Sequence, residues 1–231
     1  MALRAIVFDF DGVIANSEPL HFQAFRDVLT RWDITLTEQD YYSKYLCFDD
    51  VGVFTTINNE LSRGWHEHEL ADLVADKALR LAELERGASV LFPGAAEAIA
   101  RAAAAVPVAI ASGALGPEIR RILNHAGLAH HFAAIVSAED TPLSKPAPDP
   151  YVLAVTLLRR HVAGDGGAPL EASQCVAIED SRWGLQSARA AGLKTVGVTS
   201  AYDRAELAPH SDLVIASIAD LDIADLQRLV H

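Results

Sequence analysis

The chain has 231 residues, and 31 acidic against 19 basic side chains leave a formal charge of −12. That surplus excludes a surface built to wrap nucleic acid or an anionic membrane, because neutralising many phosphates takes a basic face and no run of Lys and Arg occurs. Apolar residues, 51% of the chain, suffice for a core, while the longest Ala/Val stretch, 102–111, is broken by Pro107 and falls short of the roughly 20 residues a membrane span needs.

In chain order, a Val/Ile-rich run at 5–8 ends on Asp9, and similar runs recur at 106–111, 133–136, 175–178, 195–198 and 213–215. Continuous apolar runs closed by polar or turn residues predict strands buried on both faces, as in a parallel sheet. Between the first and second runs the pattern changes: 20–32, 38–45, 50–61 and 66–86 show helical spacing and no strand. This predicts a helical insertion, with joints at 14–19 and 89–94 stiffened by Pro19 and Pro93. Further helices are expected over 95–105, 115–126, 150–160, 182–191 and 218–230, with Gly127 and Gly192 as stops after two of them. Alternating strands and helices imply an α/β fold, a doubly wound parallel sheet. The expected division is a core of residues 1–16 and 92–231 and a helical cap of 17–91, with 164–167 (Gly-Asp-Gly-Gly) as a solvent-facing loop.

Two cysteines, Cys47 and Cys175, stand far apart without neighbouring metal-type ligands, which suggests neither a disulfide framework nor a zinc site and fits a reducing cytosol. The first ten residues turn acidic at Asp9 and leave no room for a secretory signal, so a cytoplasmic location is expected.

The polar residues that follow the strands carry the chemistry. In open α/β sheets ligands gather at the carboxyl ends of the strands, where Asp9 and Asp11 would sit. Alone, such a pair is as readily a turn or helix cap, and a calcium loop is excluded because Val13 and Ile14 stand where an oxygen ligand and a glycine are needed. The run 106–111 leads into Ser112-Gly113; a single lysine, Lys145, sits in a loop with Pro146, Pro148 and Pro150; and 175–178 leads into Glu179-Asp180-Ser181. Each has a bland reading as a turn, a solvated lysine or an N-cap. Together they meet the needs of phosphoryl transfer: carboxylates for a hard cation, favouring Mg²⁺, a carboxylate nucleophile, and donors for the phosphoryl oxygens.

Asp9-Phe10-Asp11-Gly12-Val13-Ile14, Ser112-Gly113, Lys145-Pro146 and Glu179-Asp180-Ser181, in that order, resemble the four signature motifs of the haloacid dehalogenase superfamily, and the resemblance extends over essentially the whole chain. It implies that Asp9 attacks phosphorus to give an aspartyl phosphate. Asp11 would be the acid/base and bind Mg²⁺ through its carbonyl, Asp9 and Asp180 would be metal ligands with Glu179 beside them as a direct or outer-shell ligand, and Ser112, Gly113 and Lys145 the phosphate-binding groups. Dehalogenases and phosphonatases of this fold lack an acid at the position of Asp11, so the resemblance points to a phosphate ester.

Within the superfamily the strings DFDGVIANSEPLH and SKPAPDPY are most similar to the β-phosphoglucomutase and small sugar-phosphate phosphatase group. His21 matches a histidine that couples cap closure to acid/base chemistry in that group, although it also reads as an ordinary polar residue of a cap helix. Asn16 departs from the usual aspartate, Cys47 replaces a common glycine, and Val51 stands where an arginine is often found; a valine cannot pair with a second phosphate. Lys77 offers one substitute cation, with an exposed lysine on a charged helix as the plainer reading. The expectation is a Mg²⁺-dependent phosphatase of a small sugar or polyol phosphate, with a phosphohexomutase or a non-catalytic phosphate-ligand binding protein as alternatives. No nucleic-acid or membrane partner is expected.

Overall fold

The structure, a computed structural model, describes residues 2–45, 48–87, 90–164 and 168–231. The chain divides into two compact units, one of Met1–Asn16 with Val90–His231 and the other of Ser17–Ser89.

The first unit is built on six parallel strands, β1 (Ala5–Phe8), β2 (Val108–Ala111), β3 (Phe132–Val136), β4 (Cys175–Glu179), β5 (Lys194–Val198) and β6 (Leu213–Ile215), in the spatial order β3-β2-β1-β4-β5-β6. The β1, β2 and β4 residues are fully buried, as their unbroken apolar sequence requires. β2 begins at Val108 and not at 106, because Pro107 has no N–H to donate; its carbonyl still accepts from Ile6 N at 3.2 Å. The helices are α5 (Ala95–Ala105), α6 (Gly116–His125), α7 (Asp149–Gly164), α8 (Arg182–Ala190), α9 (Arg204–Leu207) and α10 (Ile223–Leu229), after the four of the other unit. Gly127 and Gly192 follow α6 and α8 at φ +70° and +89°, a left-handed conformation that favours glycine. The helix expected over 218–230 is split, because the Asp222 carboxylate accepts from Ala224 N at 2.8 Å and starts α10 afresh after a 3₁₀ turn at Ile218–Asp220. Val7, Ala109, Tyr151, Leu158 and Ala177 share one core cluster on a face of the sheet. Burying a side chain such as Leu158 contributes about 1.5–3 kcal/mol.

The second unit contains α1 (Glu18–Thr30), α2 (Glu38–Asp40), α3 (Asp50–Leu61) and α4 (Glu67–Gly87). Phe25, Leu29, Tyr41, Phe54, Ile57 and Leu73 form its core. Asp49 caps α3 by accepting from Gly52 N at 2.7 Å. The helix expected over 38–45 is α-helical only to Asp40 and continues as a π turn, Tyr41–Tyr45, whose buried tyrosines reach carboxylates on two helices, Glu18 from Tyr41 and Glu60 from Tyr45. Val90 and Leu91, placed with the cap by the sequence, pair with the end of the first motif instead: Asn16 N donates to Val90 O at 2.7 Å and Ala15 bridges Leu91. Of the residues read from the sequence, Cys47, Ser89 and 165–167 lie outside the described residues. Among those described, no helix is long and apolar enough to cross a membrane.

Candidate active site

Strand order reverses at β1, whose successors β2 and β3 lie on one side and β4 to β6 on the other. Such a switch opens a crevice beyond the strand ends. β1 and β4 pair in register with Phe8 opposite Ile178, so the next residues, Asp9 and Glu179, emerge side by side. Asp9, Glu179 and Asp180 are all buried, Glu179 completely, and their carboxylate oxygens lie within 4.8 Å of one another.

One cation answers these three acids. Lys145 Nζ stands 2.8 Å from Asp9 Oδ1 and 2.6 Å from Glu179 Oε1. Phe10 N donates to the same Asp9 oxygen at 2.7 Å, which fixes the carboxyl just as the chain leaves the strand. On Glu179, Oε1 also accepts from the Tyr151 hydroxyl at 2.8 Å, and Oε2 accepts from Ser181 Oγ at 3.1 Å. Ser181 meanwhile caps α8 by accepting from Gly184 N at 3.1 Å, so its bland role and its place at the site are the same fact.

Two glycines make this crowding possible. Gly12 has φ +76°, and a Cβ there would stand 1.9 Å from Asp180 Oδ2. At Gly184 a Cβ would stand 1.8 Å from Glu179 Oε1. A side chain at either position would collide with a carboxylate.

The electrostatics follow from burial and like charge. Burial, reinforced by Glu179, pushes Asp9 well above the ordinary carboxylate range although Lys145 opposes the shift. Asp180 is pushed up to about 7 by burial first and Glu179 second. For Lys145, burial works to lower the pKa, but Asp9 and Glu179 outweigh it and hold the ammonium firmly protonated. Three buried acids converge beside one lysine, a donor set suited to a hard divalent cation.

The other residues singled out from the sequence fall as follows. Asp11 is half-buried in a bridge with Ala15 beside this cluster, and its charge acts on Asp180, but its carboxylate is not one of the three that converge. Ser112 is buried at the end of β2, the neighbour of β1, donating its N–H to Val136 O and accepting on Oγ from Ala114 N at 2.9 Å. Gly113 is exposed, and a Cβ there would meet nothing within 4 Å, so space does not demand the glycine. In the other unit, His21 and Lys77 meet: Lys77 Nζ is 3.0 Å from His21 Nδ1 and 2.7 Å from Asp50 Oδ1. Lys77 is only 1% exposed and its ammonium lies 4.7 Å from the centre of the Phe25 ring, which corrects the expectation of an exposed lysine. Tyr151 closes the string SKPAPDPY that carries the resemblance, but the sequence assigns it no role. Apart from that string, an aromatic six positions after Lys145 reads as an ordinary core residue.

A haloacid dehalogenase-like hydrolase family model matches residues 3–192. Protein CbbY of Rhodobacter capsulatus is 32% identical over 238 residues, covering 99% of this chain and 98% of that protein. Fructose-1-phosphate phosphatase YqaB of Escherichia coli K12 is 27% identical over 202 residues, 84% of this chain and 95% of the relative. The crystal structure of CbbY from Rhodobacter sphaeroides in complex with phosphate superposes with a TM-score of 0.73 at 27% identity, covering 96% of each chain. The chain belongs to the haloacid dehalogenase-like hydrolases.

Proposed function

We propose that the protein is a Mg²⁺-dependent phosphatase of a small phosphorylated metabolite, a sugar or polyol phosphate, working through phospho-Asp9. The observation that carries this reading is the convergence of Asp9, Glu179 and Asp180 around a single lysine at the strand ends of a sheet of this family. The cluster fits a divalent cation: its carboxyl groups converge, acids outnumber the one lysine beside them, and Gly12 clears the space that the Asp180 carboxylate occupies. Asp9, Asp180 and the carbonyl of Asp11 are the groups that would hold Mg²⁺. When bound, the ion supplies Lewis-acid stabilisation of charge on the phosphoryl oxygens.

The chain's own residues account for the remaining chemistry. An Asp9 carboxylate oxygen attacks phosphorus and the ester P–O bond breaks, with Asp11 giving its proton to the departing alkoxide. Water then attacks the acyl phosphate and passes a proton back to Asp11, which releases inorganic phosphate and restores Asp9. Lys145, pinned beside Asp9, neutralises phosphoryl charge, and Ser112 at the adjoining strand end offers its hydroxyl to the same oxygens. Substrate selection is assigned to the helical insertion, as the resemblance implies for a cap. Support for the substrate class comes from the fructose-1-phosphate phosphatase relative. Against the mutase alternative stand Val51, exposed where the resembling group often carries an arginine, and Lys77, committed to Asp50 and so no ready partner for a second phosphate.

The test is phosphate release from a panel of sugar and polyol monophosphates with Mg²⁺. Hydrolysis of at least one substrate, lost on chelation, is expected. β-Glucose 1-phosphate supplied with a catalytic bisphosphate should give inorganic phosphate and not glucose 6-phosphate as the main product. Ligand-induced stabilisation without turnover on any ester would favour the binding-protein alternative.

A further inference from the structure

We propose that Tyr151 is a positioning residue for Lys145, acting through Glu179; the inference rests on the proposed phosphatase reading and deepens its account of the phosphate-binding lysine. Tyr151 lies in the first turn of α7 and is fully buried. Its hydroxyl donates at 2.8 Å to Glu179 Oε1, the same oxygen that takes Lys145 Nζ at 2.6 Å. The second oxygen of Glu179 is occupied by Ser181 Oγ at 3.1 Å, and Gly184 allows the carboxylate to press against the first turn of α8. Glu179 is thus held on both oxygens by groups from two helices.

Lysine is a point charge on a flexible stem and does not set its own position. Here its ammonium has two carboxylate references, Asp9 and Glu179, and lies 5.2 Å from the centre of the Tyr151 ring. The ring packs in the core cluster with Val7, Ala154 and Ala177, work that a phenylalanine would do equally well. The hydroxyl adds something separable: it holds Glu179 as the counter-ion of Lys145 and keeps that carboxylate from turning toward the neighbouring oxygens of Asp9 and Asp180, which lie within 4.8 Å. Tyr151 therefore decides how one acid is shared between the lysine and the metal cluster.

The alternative is that a buried hydroxyl merely needs an acceptor and takes the nearest one. A double-mutant cycle of Tyr151→Phe and Glu179→Gln separates the two, read by calorimetric binding of inorganic phosphate at saturating Mg²⁺, by Mg²⁺ titration and by the melting midpoint. Tyr151→Phe is expected to weaken phosphate about fivefold, the size of one hydrogen bond, while Mg²⁺ binding stays equal or tightens. In the Glu179→Gln background the same change should have little further effect. Unchanged phosphate affinity in Tyr151→Phe, an undiminished effect in the Gln background, or parallel loss of phosphate, Mg²⁺ and melting midpoint would each overturn the inference. A wild-type protein that binds no phosphate in Mg²⁺ is a different failure, because it removes the phosphatase reading itself and this inference with it.

Discussion

Each unit of the molecule contains a lysine sunk among carboxylates, and the two differ in whether the charges balance. In the Ser17–Ser89 unit, Lys77 Nζ pairs with Asp50 and lies beside His21 Nδ1 and the Phe25 ring. In the sheet unit, Lys145 faces Asp9 and Glu179 with Asp180 adjoining, and the acids outnumber the cation. Asp9 and Asp180 are pushed up by burial first and by the neighbouring Glu179 second. Burial of charge is therefore common to a supporting cluster and a working one. What separates them is the number of acids at each lysine, and under the proposed function the surplus beside Lys145 is where a divalent ion would be held.

Four experiments sharpen or break this contrast. The largest effect is expected from Asp9→Asn, which keeps the shape of the side chain and removes the nucleophile: turnover should fall by at least about a thousandfold with folding retained by circular dichroism. Turnover near wild type would sink the aspartyl-phosphate mechanism. Next comes Lys77→Met, which leaves Asp50 without its buried partner; because Asp50 is one-third exposed, a loss of about 1–3 kcal/mol in chemical denaturation is expected. A variant as stable as wild type would show that the Lys77 cluster contributes no net stability.

Mg²⁺ should affect stability through the other cluster alone. At ten to a hundred times its dissociation constant it should add about 1.4–2.7 kcal/mol, seen as a rise in melting midpoint that Asp180→Asn removes and Lys77→Met leaves in place. A Mg²⁺ effect that survives Asp180→Asn would move the ion elsewhere. The smallest effect belongs to Lys44→Ala, whose 2.8 Å pair with Asp40 lies open to water on the same unit as Lys77. Its melting midpoint should match that of the wild type, since exposed pairs stabilise little.

Much of this architecture was legible in the residues. The strands showed themselves because a parallel sheet buried on both faces demands unbroken apolar runs, and 5–8 and 213–215 match β1 and β6 to the residue. The edges that slipped did so for local reasons, such as the missing N–H of Pro107 and the fresh cap at Asp222. Within the site, Asp9, Lys145, Glu179 and Asp180 could be named because, although each has a bland reading alone, together and in this order they match the needs of phosphoryl transfer and the four motifs of the resemblance. The role of Tyr151 could not, since an aromatic closing SKPAPDPY in the first turn of a helix reads as ordinary core and only its hydroxyl's partner distinguishes it. Lys77 was open to a better reading: Leu70, Leu73, Val74, Lys77 and Leu81 fall on one helical stripe, so the lysine occupies a position on the buried face of α4.

The β1–β4 pairing also bears on the order in which the molecule acquires its parts. Phe8 and Ile178 are partners across 170 residues of chain, and the acids that follow them meet only when that pairing closes. A ribosome-bound chain stopped before β4 has Asp9 and Lys145 in its sequence but lacks Glu179 and Asp180, so neither the lysine's second anchor nor the complete cation cluster can form. Closing so long a loop is a late and slow event in folding. Chemical competence should therefore arrive near the end of folding, after β1, β2 and β3 have been synthesised and can associate.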